Sequence, residues 1–395
     1  MLDIRIEKTT APKARPTDES KLGFGQIFTD HMALIDWNSD EGWHDARIVP
    51  FGNFSMHPAA TCLHYGSEIF EGLKAYRRAD GVVQLFRPEE NARRMINSAE
   101  RLCLPQLPEE DFLNIVKTLV RLDEDWVPHS FGTSLYIRPF MFGNDETLGV
   151  HAVHNAVFAV ICGPVGSYYK EGINPVGIMI EDKDVRAVRG GTGYAKCGGN
   201  YAASNRAGER AEKQGYSQVL WLDGVERKYI EEVGAMNVMF KIGGVVVTPA
   251  LTGSILPGVT RKSCIEVLKQ AGYPVEERLL SVDELERAMD EGTLEEAWGC
   301  GTAAVVSPIG KLAYKDKTFV VNNGEIGPVT QMLYDTLTGI QWGRIEDKFG
   351  WTTPVCRTEK PIWQKAGAAR RSGREENLLR RAGMAFSSRG ACASG

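Results

Sequence analysis

Short apolar runs broken by glycine and polar turns dominate the chain, and their spacing predicts alternating strands and helices. Val82–Phe86 follows the turn Ala79-Asp80-Gly81 and reads as a strand. Pro88 opens a helix carrying Asn91, Arg94 and Met95, because proline suits a first helical turn. A second helix is predicted over Glu109–Leu122, then strands over residues 134–142 and 156–162. Beyond a stretch rich in Gly and Tyr, a strand near residues 176–180 is followed by a glycine-rich turn at 190–199. That turn leads into a helix reaching Glu212, then the strand Gln218–Leu222. Apolar segments 236–241 and 245–248 flank Gly243-Gly244, a hairpin signal. Leu256-Pro257-Gly258 precedes a helix to Gln270, residues 285–289 sit in another, a short strand covers 318–321, and a helix runs from Val329 to about Ile345.

No steady strand–helix–strand rhythm emerges, so the pattern predicts two mixed α/β lobes and not one doubly wound sheet. The expected division is a loose lead-in over 1–20, a small α/β domain over 21–165, a connector over 166–175, a larger domain over 176–356, and a basic, disordered tail over 357–395. A length of 395 residues suits two lobes, and 43% hydrophobic with 25% charged residues is ordinary globular composition. Apolar runs such as 156–162 are strand-sized, so no membrane span is expected. The net charge of −5 argues against nucleic acid or an acidic membrane as the main partner. The tail carries nine basic against three acidic residues, for which a disordered appendage is the better account than a nucleic-acid-binding arm. Eight scattered cysteines with no Cys-x-x-Cys pair point to reduced thiols. The amino-terminal segment lacks an apolar targeting stretch, so a cytoplasmic location is expected.

Candidate chemistry concentrates in Gly190-Gly191-Thr192-Gly193-Tyr194-Ala195-Lys196-Cys197-Gly198-Gly199-Asn200-Tyr201. A dinucleotide fingerprint from Gly191 would need glycine where Lys196 stands, and a phosphate-binding P-loop would need Gly-Lys-Ser/Thr. There remains a lysine among small residues, a setting that desolvates an amine and suits a Schiff-base nucleophile; alone, a solvated surface lysine stays the better account. Elsewhere, Glu231-Glu232 precedes a hydrophobic strand, Leu256-Pro257-Gly258-Val259-Thr260-Arg261 puts free N–H groups at a helix start, and Gly299-Cys300-Gly301-Thr302-Ala303-Ala304 is a donor-rich turn. An amine, an acid and two anion cradles are the parts that pyridoxal phosphate requires.

Taken with Phe28-Thr29-Asp30-His31-Met32, Leu63-His64-Tyr65-Gly66, Phe70-Glu71-Gly72-Leu73-Lys74-Ala75-Tyr76, Tyr136-Ile137-Arg138-Pro139 and Ala195-Lys196-Cys197-Gly198-Gly199-Asn200-Tyr201-Ala202, these blocks resemble the branched-chain amino-acid aminotransferases, of the fold-type IV pyridoxal-phosphate class, from about Phe24 to Trp351. The resemblance implies that Lys196 joins the cofactor and shuttles the proton, and that Tyr201 binds the cofactor's phenolic oxygen. It sets Glu232, in preference to Glu231, against the pyridine nitrogen. Arg94, Thr302 and the backbone at Val259 and Thr260 would hold the phosphate. Phe24, Tyr65, Phe70 and Tyr168 would enclose the branched side chain. Tyr136 and Arg138 would stand at the pocket mouth, Arg138 meeting the side-chain carboxylate of glutamate, and Ala303 would offer a backbone donor to the substrate carboxylate.

The same resemblance implies a homodimer, with the loop at Leu148 and Val150 reaching into the neighbouring subunit's site. It implies transfer of the amino group of leucine, isoleucine or valine to 2-oxoglutarate, by a ping-pong course, with no metal. D-amino-acid aminotransferases and aminodeoxychorismate lyases share the lysine and the acid, but the Tyr136/Arg138 pair and the Phe70-Glu71-Gly72 block favour the branched-chain enzymes. Where animal members carry a redox Cys-x-x-Cys, this chain has Ala304 and Ser307, so peroxide-sensitive control of that kind is not expected.

Overall fold

The computed structural model describes residues 1–167 and 173–357. Strands and helices assemble into two mixed lobes, each built on a nine-stranded sheet. The first runs in the order Arg5–Ile6, Gly42–Pro50, His31–Asn38, Asn155–Val165, Ser134–Gly143, Leu73–Arg77, Val82–Phe86, Thr352–Arg357, with Glu68–Phe70 added on Ser134–Gly143. Helices Pro88–Arg101 and Glu109–Leu122 lay their apolar stripes on this sheet: Ala92, Met95, Ala99, Phe112, Ile115 and Leu119 join one core with Ala33, Ile35, Leu85 and Phe158. Pro88 stands at the first turn of its helix, where its missing N–H costs nothing.

The second sheet runs Ile230–Val233, Gln218–Leu222, Val176–Glu181, Val305–Tyr314, Leu294–Gly301, Met236–Ile242, Val245–Pro249, Val275–Arg278, with Lys317–Val320 beside Val305–Tyr314. Val176–Glu181 pairs in parallel with both of its neighbours, whereas Met236–Ile242 and Val305–Tyr314 each lie antiparallel to Leu294–Gly301 between them. Helices Val259–Gln270 and Pro328–Gln341 pack on one face through Cys264, Leu268, Leu333 and Leu337 against Met239 and Trp298.

Several elements depart from the sequence expectations. His31–Asn38 and Gly42–Pro50 form a hairpin, and Leu294–Gly301 with Val305–Tyr314 another, none of which the apolar pattern marked. Their inward residues are interrupted by polar ones such as Asp36, His44 and Glu296. The helix expected to run unbroken to Glu212 is two, Gly198–Ala202 and Asn205–Lys213. The last helix stops at Gln341 because Gly343 takes a left-handed φ of 64° and Arg344 N–H closes onto the Gly339 carbonyl. The lead-in over 1–20 is tied down: Arg5 and Ile6 pair in parallel with Arg47 and Ile48, and Thr9 N–H reaches His31 Nε2. Thr352–Arg357, placed in the second lobe by the sequence reading, joins the first sheet beside Val82–Phe86. Trp351 anchors it, its ring 5.6 Å from Phe86 and under the Arg87 guanidinium.

Among the described residues no helix is long and apolar enough to cross a membrane. No cluster of His, Cys, Asp and Glu able to hold a metal occurs among them either. Tyr168 and residues 358–395 lie outside the described residues.

Candidate active site

The lobes meet along a cleft bridged by long-range contacts. Arg94 Nη1 reaches the Pro257 carbonyl, Arg87 Nη1 the Ser263 hydroxyl, and Lys74 Nζ the Ala303 carbonyl at 2.9 Å. The cavity in this cleft is lined by Lys196, Tyr201, Glu232, Arg94, Val259, Thr260, Thr302, Ala303, Phe70, Tyr136 and Arg138, eleven residues of the expected set.

Asn200 pins the loop before the lysine. Its amide donates to the Thr192 and Ala195 carbonyls at 2.8 and 2.9 Å and its oxygen accepts from Thr192 Oγ1. Lys196 N–H donates to Ser98 Oγ, and the Lys196 carbonyl accepts from Phe70 N–H, so two elements of the first lobe fix the lysine backbone. The helix Gly198–Ala202 then swings Tyr201 back, and Lys196 Nζ lies 2.7 Å from its hydroxyl. Burial, with the charges of Arg94 and Arg138, lowers the lysine from 10.5 to about 7 against the opposing pull of Glu71 and Glu232. Burial and the nearby Glu232 push the Tyr201 phenol above its ordinary value.

Glu231 and Glu232 alternate on the strand Ile230–Val233. Glu232 faces the cavity, accepts from Leu256 N–H at 2.7 Å and pairs with Arg186 Nε at 3.1 Å. Burial raises its pKa, and Arg186 opposes the rise. Glu231 points away, to the Ser254 hydroxyl.

At the other end of the cavity the helix Val259–Gln270 begins without a side-chain cap, leaving its first N–H groups to an anion. Glycine is required before it: a Cβ at Gly258 would stand 2.0 Å from Asn237 Oδ1, whose amide braces the Leu256 carbonyl. Arg94 comes from the helix Pro88–Arg101 and is held by Glu71 through two bonds of 2.7 and 2.8 Å, with Asn91 also donating to Glu71. Burial works against the charge of Glu71, but Arg94 prevails and holds its carboxyl below the usual range.

Two expected pocket residues, Phe24 and Tyr65, fall elsewhere. Phe24 is half-exposed and packs edge-on against Tyr136, lining an adjoining apolar recess with Ile161 and Val165. Tyr65 does not reach this cavity; its hydroxyl donates to the Leu148 carbonyl, and Leu148 and Val150 are themselves exposed. The short helix Thr61–Tyr65 directs it there. Tyr168 lies outside the described residues. Arg186, Glu71, Asn200 and Asn237 were not singled out from the sequence. Glu71 stood inside a quoted block, but its 23-residue separation from Arg94 gave no sign of the pair, and Arg186 sits in no recognisable pattern.

The family model for amino-transferase class IV matches residues 68–312. Branched-chain-amino-acid aminotransferase 2 of Bacillus subtilis (strain 168) is 55% identical over 353 residues, covering 89% of this chain and 97% of that protein. A probable branched-chain-amino-acid aminotransferase of Staphylococcus aureus (strain N315) is 54% identical over 89% of this chain and 98% of its own length. Among solved structures, the branched-chain amino acid aminotransferase from Escherichia coli superposes with a TM-score of 0.65 at 28% identity, covering 82% of this chain and 100% of that one. The T.th. branched-chain amino acid aminotransferase complexed with N-(5'-phosphopyridoxyl)-L-glutamate gives a TM-score of 0.67 at 27% identity, over 82% of this chain and 99% of that one.

Proposed function

The chain belongs to the class IV aminotransferases, among the branched-chain-amino-acid enzymes, and on that premise we propose that it moves the amino group of leucine, isoleucine or valine to 2-oxoglutarate using pyridoxal phosphate. The observation that carries this reading is the buried Lys196 amine, 2.7 Å from the Tyr201 hydroxyl and lowered to about 7, between a buried acid and an uncapped helix start.

The donor set fits the cofactor. Lys196 supplies the amine, Tyr201 a hydroxyl for the ring oxygen, and Glu232 a carboxylate for the ring nitrogen. Arg94, Thr302 and the N–H groups of Val259 and Thr260 would hold the phosphate. When bound, pyridoxal phosphate offers an aldehyde that condenses with amines and a ring that withdraws electrons from the substrate Cα. Lys196 Nζ, its pKa lowered to about 7 so that a substantial share is unprotonated near neutral pH, is the base placed to take the Cα proton and to return it. Tyr201 orients that nitrogen, and Glu71 keeps Arg94 fixed as a planar anion clamp.

Arg186 and the Leu256 N–H hold the Glu232 carboxylate facing the cavity, so that its charge favours a protonated ring nitrogen. Tyr136 and Arg138 would receive the second carboxylate of glutamate, and Ala303 N–H the substrate α-carboxylate. Phe70 would meet the branched side chain. In a homodimer Tyr65 and the loop at Leu148 and Val150 would serve the partner's cavity, a reading supported by the exposure of Leu148 and Val150 and by the turn of Tyr65 toward Leu148. The enzyme works in the cytoplasm. The test is transfer from leucine to 2-oxoglutarate by the purified holoenzyme, with D-alanine as the control; activity on D-alanine without activity on leucine would reject the reading.

A further inference from the structure

Glu68 carries a carboxylate that none of the roles above uses. It stands on the strand Glu68–Phe70, paired antiparallel to Ser134–Gly143 in the register Glu68↔Phe142 and Phe70↔Phe140. Paired residues share a face, and side chains two apart along a strand return to it. Glu68, Phe70 and Arg138 therefore project on one side of the sheet, and the Arg138 guanidinium lies 4.7 Å from the centre of the Phe70 ring. The Glu68 carboxylate accepts the N–H of Gly198, two residues past Lys196. A Cβ at Gly198 would come within 2.1 Å of Glu68 Oε1, so only glycine lets the acid approach. Burial pushes the Glu68 carboxyl above its ordinary value, with the Gly198 N–H and the Arg138 charge pulling against it.

Arg138 has donors to spare. Its Nη2 donates to the Tyr136 hydroxyl at 2.9 Å, and among the described residues its buried Nε has no hydrogen-bond partner and no carboxylate forms an ion pair with it. Resting on the reading that Arg138 meets the side-chain carboxylate of glutamate, we propose that Glu68 sets the balance between dicarboxylate and branched-chain substrates. A second carboxylate arriving at Arg138 comes within electrostatic reach of Glu68, which already feels the Arg138 charge, and is repelled by it. A branched aliphatic side chain brings no charge and is spared the repulsion. Glu68 is thus a specificity-determining residue that touches no reacting atom.

The test uses holoenzyme with Glu68→Gln, Arg138→Gln, or both, assayed for kcat/KM in the leucine and glutamate half-reactions. Glu68→Gln keeps an oxygen for the Gly198 N–H and removes the charge. The ratio of glutamate to leucine kcat/KM should rise by about threefold or more, through a lower KM for glutamate, and the rise should vanish in the Arg138→Gln background. If Glu68 only anchored the lysine loop, both half-reactions would fall together with the ratio unmoved. An unmoved or lowered ratio, where Arg138→Gln itself lowers it, overturns the role of Glu68. If Arg138→Gln leaves the ratio unmoved, the Arg138 reading fails, and the proposal falls with it.

Discussion

Glu231 and Glu232 are consecutive buried carboxylates that face opposite sides of one strand, Glu232 toward Lys196 and the cavity, Glu231 toward Ser254. Their division of labour follows from the two-residue period of the strand. Glu232→Gln should lower leucine kcat/KM by about 100-fold, because a neutral amide no longer favours a protonated ring nitrogen. Glu231→Gln should cost far less. Steady-state kinetics on both variants checks the ranking, and the reverse order would mean the wrong acid was chosen.

The Arg94–Glu71 pair is buried and bidentate. Glu71→Ala leaves the Arg94 guanidinium buried with, among the described residues, only the Pro257 carbonyl, and should cost about 3–5 kcal/mol of stability. Denaturant unfolding of the variant measures it. A loss below about 1 kcal/mol would show that Arg94 finds water instead.

Lys196 titrates at about 7 folded against 10.5 unfolded, so between those values the unfolded chain binds more protons and stability rises with pH. Lys74, lowered to about 8 by burial, adds the same trend above that pH. Cofactor-free protein should therefore gain stability from about pH 7 to about pH 9, by at most about 1.4 kcal/mol per pH unit for Lys196. Lys196→Met should flatten the slope. An equal slope in both proteins would place the lysine in a more solvated setting.

Leu148 and Val150 are among the most exposed large apolar side chains described. Leu148→Asp should shift the protein toward monomer and reduce turnover with it, as read by light scattering and leucine assay on the same samples. A dimer undisturbed by Leu148→Asp would place the interface on another face.

Thr352–Arg357 is an edge strand of the first sheet, and residues after it take no assigned role. Ending the chain after Arg357 should leave the thermal midpoint and leucine turnover unchanged. Ending it before Thr352 should lower the midpoint, because Val82–Phe86 loses its neighbour. A large loss in the longer of the two chains would assign the tail a role in the body.

Most helices and the hairpin 236–249 were legible because their apolar periodicity is local. The strands His31–Asn38, Leu294–Gly301 and Val305–Tyr314 were not, since their burial is set by partners far along the chain. Lys196, Tyr201 and Glu232 could be named from contiguous motifs. Arg186 could not, because its role depends on reaching both Glu232 and the Ser254 carbonyl, distant in the chain. Tyr65 was read as part of the substrate pocket because its motif carries no information about the direction the short helix Thr61–Tyr65 gives it, toward the Leu148 carbonyl and away from the cavity.

The central claim is that Lys196 is the amine of catalysis. Leucine added without any oxo acid to stoichiometric holoenzyme should change the absorbance of bound pyridoxal phosphate within one turnover, and in Lys196→Ala that change should slow by about four orders of magnitude while the fold is kept. A Lys196→Ala protein that completes the half-reaction at near the wild-type rate would contradict the account.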